Sequence, residues 1–297
     1  MTSPLIVVTG ATGQLGQTLV RRWVEEPALP DYRLVALDRA QLDFSKVDGI
    51  AGVLSELKPV VIVNAAAYTQ VDRAETESLD AYLVNEAGTA ALASWVAQND
   101  AKLFHISTDF VFDGESSAPY LPGHETGPLC AYGASKLAGE KKIQAIAEDK
   151  STIIRTSWLY SEYGNNFVKT MLRLMGAKDE LSVVDDQVGS PTSTHGLANL
   201  IFAMIRQHSC QGIYHWTDGG NISWFEFAQE IQRQALQEGL LNKAIPLKRI
   251  SSSEYPTAAR RPPYSVLDRS RALADFECPG QLWKEQLAEV IQALATH

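Results

Sequence analysis

The sequence predicts an α/β protein, a doubly wound parallel sheet followed by a smaller C-terminal lobe. Three observations predict it. Short apolar, β-branched runs alternate with helix-periodic segments up to about residue 160. The first of those runs breaks into a glycine turn that opens a helix. Beyond residue 160 the alternation loosens and aromatic residues become more frequent.

At 297 residues the chain can bury about three quarters of its unfolded surface, enough for one large domain or two lobes sharing a core. Its 26 basic and 35 acidic residues leave a net charge of -9, and no basic run is present to follow a phosphate backbone. Nucleic acid is therefore not an expected partner. Cys130, Cys210 and Cys278 are odd in number and lack metal-type spacing, so they read as reduced thiols. No apolar stretch approaches the roughly 18 residues that a membrane span needs, and the N-terminus has no signal-peptide pattern. A cytoplasmic protein with no membrane contact is expected.

Leu5 to Thr9 reads as a buried strand ending at Gly10-Ala11-Thr12-Gly13-Gln14-Leu15-Gly16. Leu15, Leu19, Val20 and Trp23 then recur at helical spacing. In this context Gly10 permits a tight turn, Gly13 admits a pyrophosphate to backbone N–H groups, and Gly16 lets helix and strand approach. The second strand, Leu34 to Leu37, ends at Asp38, a carboxylate placed for adenosine ribose hydroxyls, while Arg39 beside it suits a 2′-phosphate. NADH and NADPH both stay open. Asp43 and Phe44 flank the adenine or, alternatively, Asp43 caps a helix from about Ser45. Val60 to Val63 forms a third strand, breaking into Asn64-Ala65-Ala66-Ala67-Tyr68-Thr69, whose small residues let a cofactor lie close. A long helix is expected from Glu75 to Asp100, then strands from Lys102 to Ser107 and from Thr152 to Tyr160.

Between those last strands lies Ser107 to Glu140, where the chemistry concentrates. Tyr132 and Lys136 stand four apart at a helix start and share one face. A phenol titrates near ~10, and an ammonium within ~4–6 Å lowers that by ~1–3 units, so the pair suits proton exchange. Thr108 adds a hydroxyl for a substrate carbonyl. The spacing alone is common, and a surface tyrosine beside a solvated lysine is its plain reading; the glycine turn is what gives the pair weight.

Taken together, Gly10 to Gly16, Asn64 to Thr69 with Val71-Asp72, Ser107 to Gly114, Tyr132 to Glu140, Arg155 to Tyr160, Asn166-Phe167-Val168 and Asp185 to Thr192 resemble the dTDP-4-dehydrorhamnose reductase family of extended short-chain dehydrogenase/reductases. The resemblance runs from end to end. It implies a Rossmann domain over 1–160, to which part of 192–222 returns, and a nucleotide-sugar lobe over 161–297. It also implies a catalytic set of Thr108, Tyr132 and Lys136, with Lys136 lowering the Tyr132 pKa and holding the nicotinamide ribose. NADPH or NADH would contact Gly10, Thr12, Gly13, Gln14, Leu15, Gly16, Asp38, Arg39, Asp43, Phe44, Ala65, Ala66, Ala67, Tyr132 and Lys136. The sugar nucleotide would meet Thr69, Val71, Asp109, Phe110, Trp158, Asn166 and Arg260. Many relatives carry tyrosine where this chain has Phe110, which removes one polar contact.

The residues of the second lobe support a nucleotide sugar in their own right. Asn166 opens a helix, where N–H groups suit a diphosphate, and Arg260-Arg261 offers guanidiniums for phosphate oxygens. Trp158 either stacks on the ligand or belongs to the core. His105, His124, His195 and His215 share no ligand spacing and read as structural. No metal site is expected: Asp185-Asp186 reads as a turn, and the metal-binding glutamates that some relatives carry find no counterpart in this sequence; Gln17, for example, is an amide. The helices expected from Trp224 to Leu236 and from Leu282 to Leu294 read as lobe packing. The resemblance leaves two other functions open, a different nucleotide-sugar ketoreductase or epimerase and a non-catalytic regulatory subunit. The expected partners are a nucleotide-sugar substrate and, in an assembly the sequence leaves open, a second copy in a homodimer.

Overall fold

The computed structural model describes residues 3–25, 29–207 and 211–296. Cys210 lies outside the described residues, whereas Cys130 and Cys278 are free and buried. Strand β1 (Leu5–Thr9) is buried throughout, as a run apolar up to its last residue demands, and it leads through the glycine turn into α1 (Gln14–Glu25). Strand β2 (Arg33–Leu37), helix α2 (Val47–Leu57) and strand β3 (Val61–Asn64) repeat the unit. Next come α3 (Ser78–Tyr82), a π-helical turn (Leu83–Gly88), α4 (Thr89–Gln98), β4 (Lys102–Thr108), a 3-10 turn (Asp109–Val111), α5 (Ala131–Ala147) and β5 (Ser151–Thr156). The remainder holds β6 (Leu159–Tyr160), α6 (Phe167–Ala177), β7 (Leu181–Val184), β8 (Val188–Gly189), β9 (Thr192–Ser193) and α7 (Thr194–Gln207). It closes with β10 (Gly212–His215), β11 (Ile222–Ser223), α8 (Trp224–Gln237), β12 (Leu247–Ile250), α9 (Ser270–Asp275) and α10 (Trp283–Ala295).

Six strands form one sheet in the order β10-β5-β4-β3-β1-β2, and every pairing in it is parallel. The order reverses between β1 and β3, so their carboxyl ends diverge into a crevice of the kind where ligands bind. The edge strand β10 comes from late in the chain, and α7 packs on α1 to cover one face. Leu197, Leu200, Ile201 and Met204 of α7 join Ile6, Val8 and Leu19 in that core. A separate core gathers Val168, Met175, Phe227, Ile231, Leu287 and Ile291 from α6, α8 and α10.

Two expected elements differ. The helix expected over 75–100 is interrupted by the π-helical turn at Leu83–Gly88. There Asn85 turns its amide away to bracket the backbone of Tyr68, and it also donates to Ser135 Oγ at 3.0 Å. Gly139 of α5 sits so close that a Cβ would fall 2.1 Å from the Asn85 carbonyl oxygen, so the widened turn and the glycine fit each other. The strand expected over 152–160 breaks at Trp158, whose φ of 47° is in the left-handed region that only glycine enters freely.

Helix α5 is fixed to the sheet by a buried ion pair. Arg155 of β5 reaches Glu140 through Nη2 at 2.6 Å and Nε at 3.0 Å, both side chains being almost inaccessible, and Ser107 Oγ of β4 donates to the same carboxylate. Arg155→Leu leaves that carboxylate without its countercharge, so urea unfolding should show a loss of about 3–5 kcal/mol relative to the parent.

Candidate active site

Thr9, Asn64 and His105 occupy one cross-strand row, since Thr9 pairs with Asn64 in register and Asn64 with His105. Their side chains continue the row: Thr9 Oγ1 donates to Asn64 Oδ1 at 2.7 Å, and Asn64 Nδ2 meets His105 Nδ1 at 2.9 Å. The far ring nitrogen, His105 Nε2, lies 3.3 Å from Lys136 Nζ, which also donates to the Ile106 carbonyl at 2.7 Å. All four side chains are buried.

Tyr132 stands one turn before Lys136 at the start of α5. That start is clamped onto the 3-10 turn, because a Cβ at Gly133 would fall 2.1 Å from the Phe110 carbonyl oxygen. The Phe110 ring meets Tyr132 edge-on at 5.6 Å. Thr108 accepts from the Phe110 N–H and donates to Asp109 Oδ1 at 3.1 Å, and its hydroxyl neighbours the Tyr132 phenol. Thr108, Tyr132, Asp109 and Phe110 are thus in one place.

The electrostatics differ from the expectation in one respect. Burial raises the Tyr132 phenol well above its ordinary value, with Thr108 opposing the rise and Asp109 adding to it. The expected lowering by Lys136 is not found, because the amine is turned toward Ile106 and His105. Burial lowers Lys136 to about 8, against the pull of Glu140. Burial likewise pushes Asp109 up to about 6, and its Oδ2 is inaccessible with no geometrically formed hydrogen bond. His105 is driven well below its usual value by burial and then by Lys136, so it is neutral.

At the crevice Gly10 has φ +69°, and a Cβ there would fall 2.8 Å from the Ala65 backbone; one at Gly16 would fall 2.3 Å from the Gly10 carbonyl. Gly13 and Thr12 are exposed and the first turn of α1 holds no acidic residue, which leaves a helix N-terminus open to an anion. These residues fit a dinucleotide.

The model of the family described as RmlD substrate binding domain matches residues 4–296. The chain belongs to that family. A dTDP-4-dehydrorhamnose reductase of Aggregatibacter actinomycetemcomitans is 39% identical over 96% of this chain and 97% of its own. Among solved structures, a dTDP-4-dehydrorhamnose reductase of Clostridium acetobutylicum superposes with TM-score 0.90 at 38% identity, covering 98% and 99% of the two chains. One from Bacillus anthracis, in complex with NADP, superposes with TM-score 0.89 at 38% identity, covering 97% and 98%.

In this member of the RmlD family the outer residues divide. Asp38 is half-buried and accepts from the Gln41 N–H, Arg39 is exposed with Asp43 at 3.6 Å, and Ala65, Ala66 and Ala67 line the end of β3 half-buried. The Phe44 side chain is buried in the core under Gly88, where its carbonyl would meet an added Cβ at 2.7 Å, leaving only its backbone for a ligand. Asp43 closes a local turn by accepting from Ser45 N and Oγ, and α2 begins only at Val47. Leu15 is a core side chain, leaving only its backbone for the turn. Gln14 Oε1 accepts from Ser161 Oγ and Asn166 Nδ2, tying the glycine turn to the start of α6.

Asn166 is accordingly committed. It caps α6 by accepting from the Lys169 N–H, so its side chain is already spent on protein groups. Thr69 and Arg260 are exposed, Val71 is half-buried, and the guanidinium of Arg261 is held by Asp72 at 2.8 and 3.1 Å. Trp158 stacks on Trp224, 3.5 Å between centroids and 9° between planes, while Trp224 Nε1 donates to Gln187. Trp224, Asp72, Asn64 and His105 carried no role in the sequence. Each of the last two, like Thr9, interrupts or ends an apolar strand with a polar side chain, and that shared pattern is the signal that was available. Among the described residues no three His, Cys, Asp or Glu side chains converge as metal ligands, and no helix is long and apolar enough to cross a membrane.

The tryptophan stack should be measurable in stability. A double-mutant cycle of Trp158→Leu and Trp224→Leu, followed by urea unfolding, should give a coupling of about 0.5–1.5 kcal/mol.

Proposed function

We propose that this chain reduces the C4 ketone of dTDP-4-dehydro-L-rhamnose to dTDP-L-rhamnose at the expense of NADPH or NADH. The observation that carries the reading is end-to-end similarity, at 38–39% identity, to reductases named for that reaction, in a chain that keeps Thr108, Tyr132 and Lys136. The sheet half of the molecule holds the cofactor, and the half built on α6, α8 and α10 faces the sugar nucleotide.

The bound cofactor supplies the hydride. The backbone of Gly10, Thr12, Gly13, Gln14, Leu15 and Gly16 would hold its pyrophosphate, and Asp38 and Arg39 its adenosine end. Thr108 orients the ketone by donating to its oxygen, in exchange for its bond to Asp109. Tyr132 gives its phenolic proton to the alkoxide oxygen as it forms. A raised phenol is fully protonated at neutral pH, which is the state that a donor in the reducing direction requires. Asp109 and Phe110 line the sugar, Thr69 and Val71 border it, and Trp158, held between Trp224 and Gly189, presents a ring edge. Arg260 is the guanidinium left for the diphosphate, since Arg261 is held by Asp72.

Loss of nicotinamide absorbance with dTDP-4-dehydro-L-rhamnose generated in situ tests the reading, and stoichiometric formation of dTDP-L-rhamnose is the expected result; cofactor binding without oxidation would refute it. Tyr132→Phe should lower kcat by at least ~10² while cofactor Kd is retained. Arg39 is 81% exposed and only loosely paired, so its guanidinium is free to meet a 2′-phosphate. Arg39→Ala should therefore raise the Kd of NADPH more than that of NADH in a fluorescence titration.

A further inference from the structure

The polar row that ends at Lys136 has an internal logic of donors and acceptors. The Ala66 N–H points at both Asn64 Oδ1 and Thr9 Oγ1, at 3.2 and 3.3 Å, and the Thr9 hydroxyl donates to that same Asn64 oxygen. Reversing the Asn64 amide would set its NH₂ against the Ala66 N–H and strip the Thr9 hydroxyl of its acceptor, so the orientation is fixed. Asn64 Nδ2 is therefore the donor to His105 Nδ1. A neutral imidazole that accepts at Nδ1 carries its proton on Nε2, and Nε2 faces Lys136 Nζ at 3.3 Å.

We infer that His105 is a positioning residue for Lys136: the Thr9–Asn64–His105 row holds the imidazole as the neutral Nε2–H tautomer and aims that N–H at the amine nitrogen. An ammonium has no lone pair to offer such a donor, whereas a neutral amine accepts it. The row therefore favours the uncharged amine, and the Ile106 carbonyl, which accepts from the amine at 2.7 Å, keeps the nitrogen in place in either state. Lys136 can in this way release and regain a proton beside Tyr132 instead of carrying a fixed charge. The other ionisable groups around it are Tyr132 and Glu140 on its own helix, and Glu140 is balanced by Arg155 of β5. From β4, His105 is the titratable side chain that faces the amine.

The role given to Lys136 rests on the reductase reading, but the tautomer does not, and the two are tested separately. ¹⁵N NMR of histidine-labelled full-length protein, with His105→Asn used to assign the resonance, should show His105 protonated at Nε2 and unchanged from about pH 5 to 9. Protonation at Nδ1, or titration within that range, overturns the inference whatever the enzyme's substrate. Asparagine keeps an acceptor where Nδ1 stood and removes the Nε2–H, whereas glutamine places an amide N–H near Nε2. In the reductase assay, His105→Asn should raise the pH of the basic limb of kcat by about one unit, and His105→Gln should restore it toward the parent. A uniform loss of kcat in both variants with the limb unmoved would reduce His105 to a core residue.

Discussion

Everything at the site depends on how helix α5 is held against the sheet, and the Arg155–Glu140 pair is the buried ionic tie between them. Burying two charges is costly, and the cost is offset only where further hydrogen bonds complete the geometry. Here they do: Ser107 adds a donor to the carboxylate, the Pro122 carbonyl accepts from Arg155 Nη1, and the guanidinium lies over the Phe112 ring at 5.0 Å. Two strands, one helix and the loop before that helix thus meet at a single ion pair. Tyr132 and Lys136 ride on the same helix, two turns and one turn before Glu140, so a contact buried away from solvent fixes their positions.

A second constraint joins the two halves across the crevice. Gln14 belongs to the glycine turn, yet its side-chain oxygen is engaged by Ser161 and Asn166. Trp158 lies between, held in a left-handed conformation by its stack on Trp224 and by the absence of a side chain at Gly189, where an added Cβ would fall 2.7 Å from the indole. The strand that would otherwise run on from β5 is turned there into the smaller core. Backbone strain of this kind persists where surrounding contacts over-determine it, and it concentrates near functional sites.

The sheet and its turn were legible because each strand is a short β-branched run and the glycines fall between the first strand and the first helix. Tyr132, Lys136 and Thr108 were legible because residue type and spacing carry their chemistry. The burial of the Phe44 ring was not legible because a phenylalanine after a strand looks the same whether it flanks a ligand or fills a core, and its contact, Gly88, is far along the chain. Asn166 was assigned to a ligand because a cap and an anion site use the same N–H groups. The π-helical turn left no periodic trace, since Asn85 breaks the helix through contacts with Tyr68 and Ser135 that are distant in sequence. His105 was read only as structural because its two partners, Asn64 and Lys136, are on two other elements far along the chain.

The sixth strand of the sheet carries a consequence for synthesis. β10 completes the sheet beside β5, yet it is made only after the chain has passed through α6, the short strands β7 to β9 and α7, the helix whose leucines and isoleucines seal one face. Until residue 215 leaves the ribosome, β5 presents an unpaired edge and the core under α1 stands open. The sheet half is therefore completed by residues that come late in the chain. A nascent or truncated product ending near residue 160 would be left with an unpaired β-edge and an uncovered apolar face for chaperones to guard.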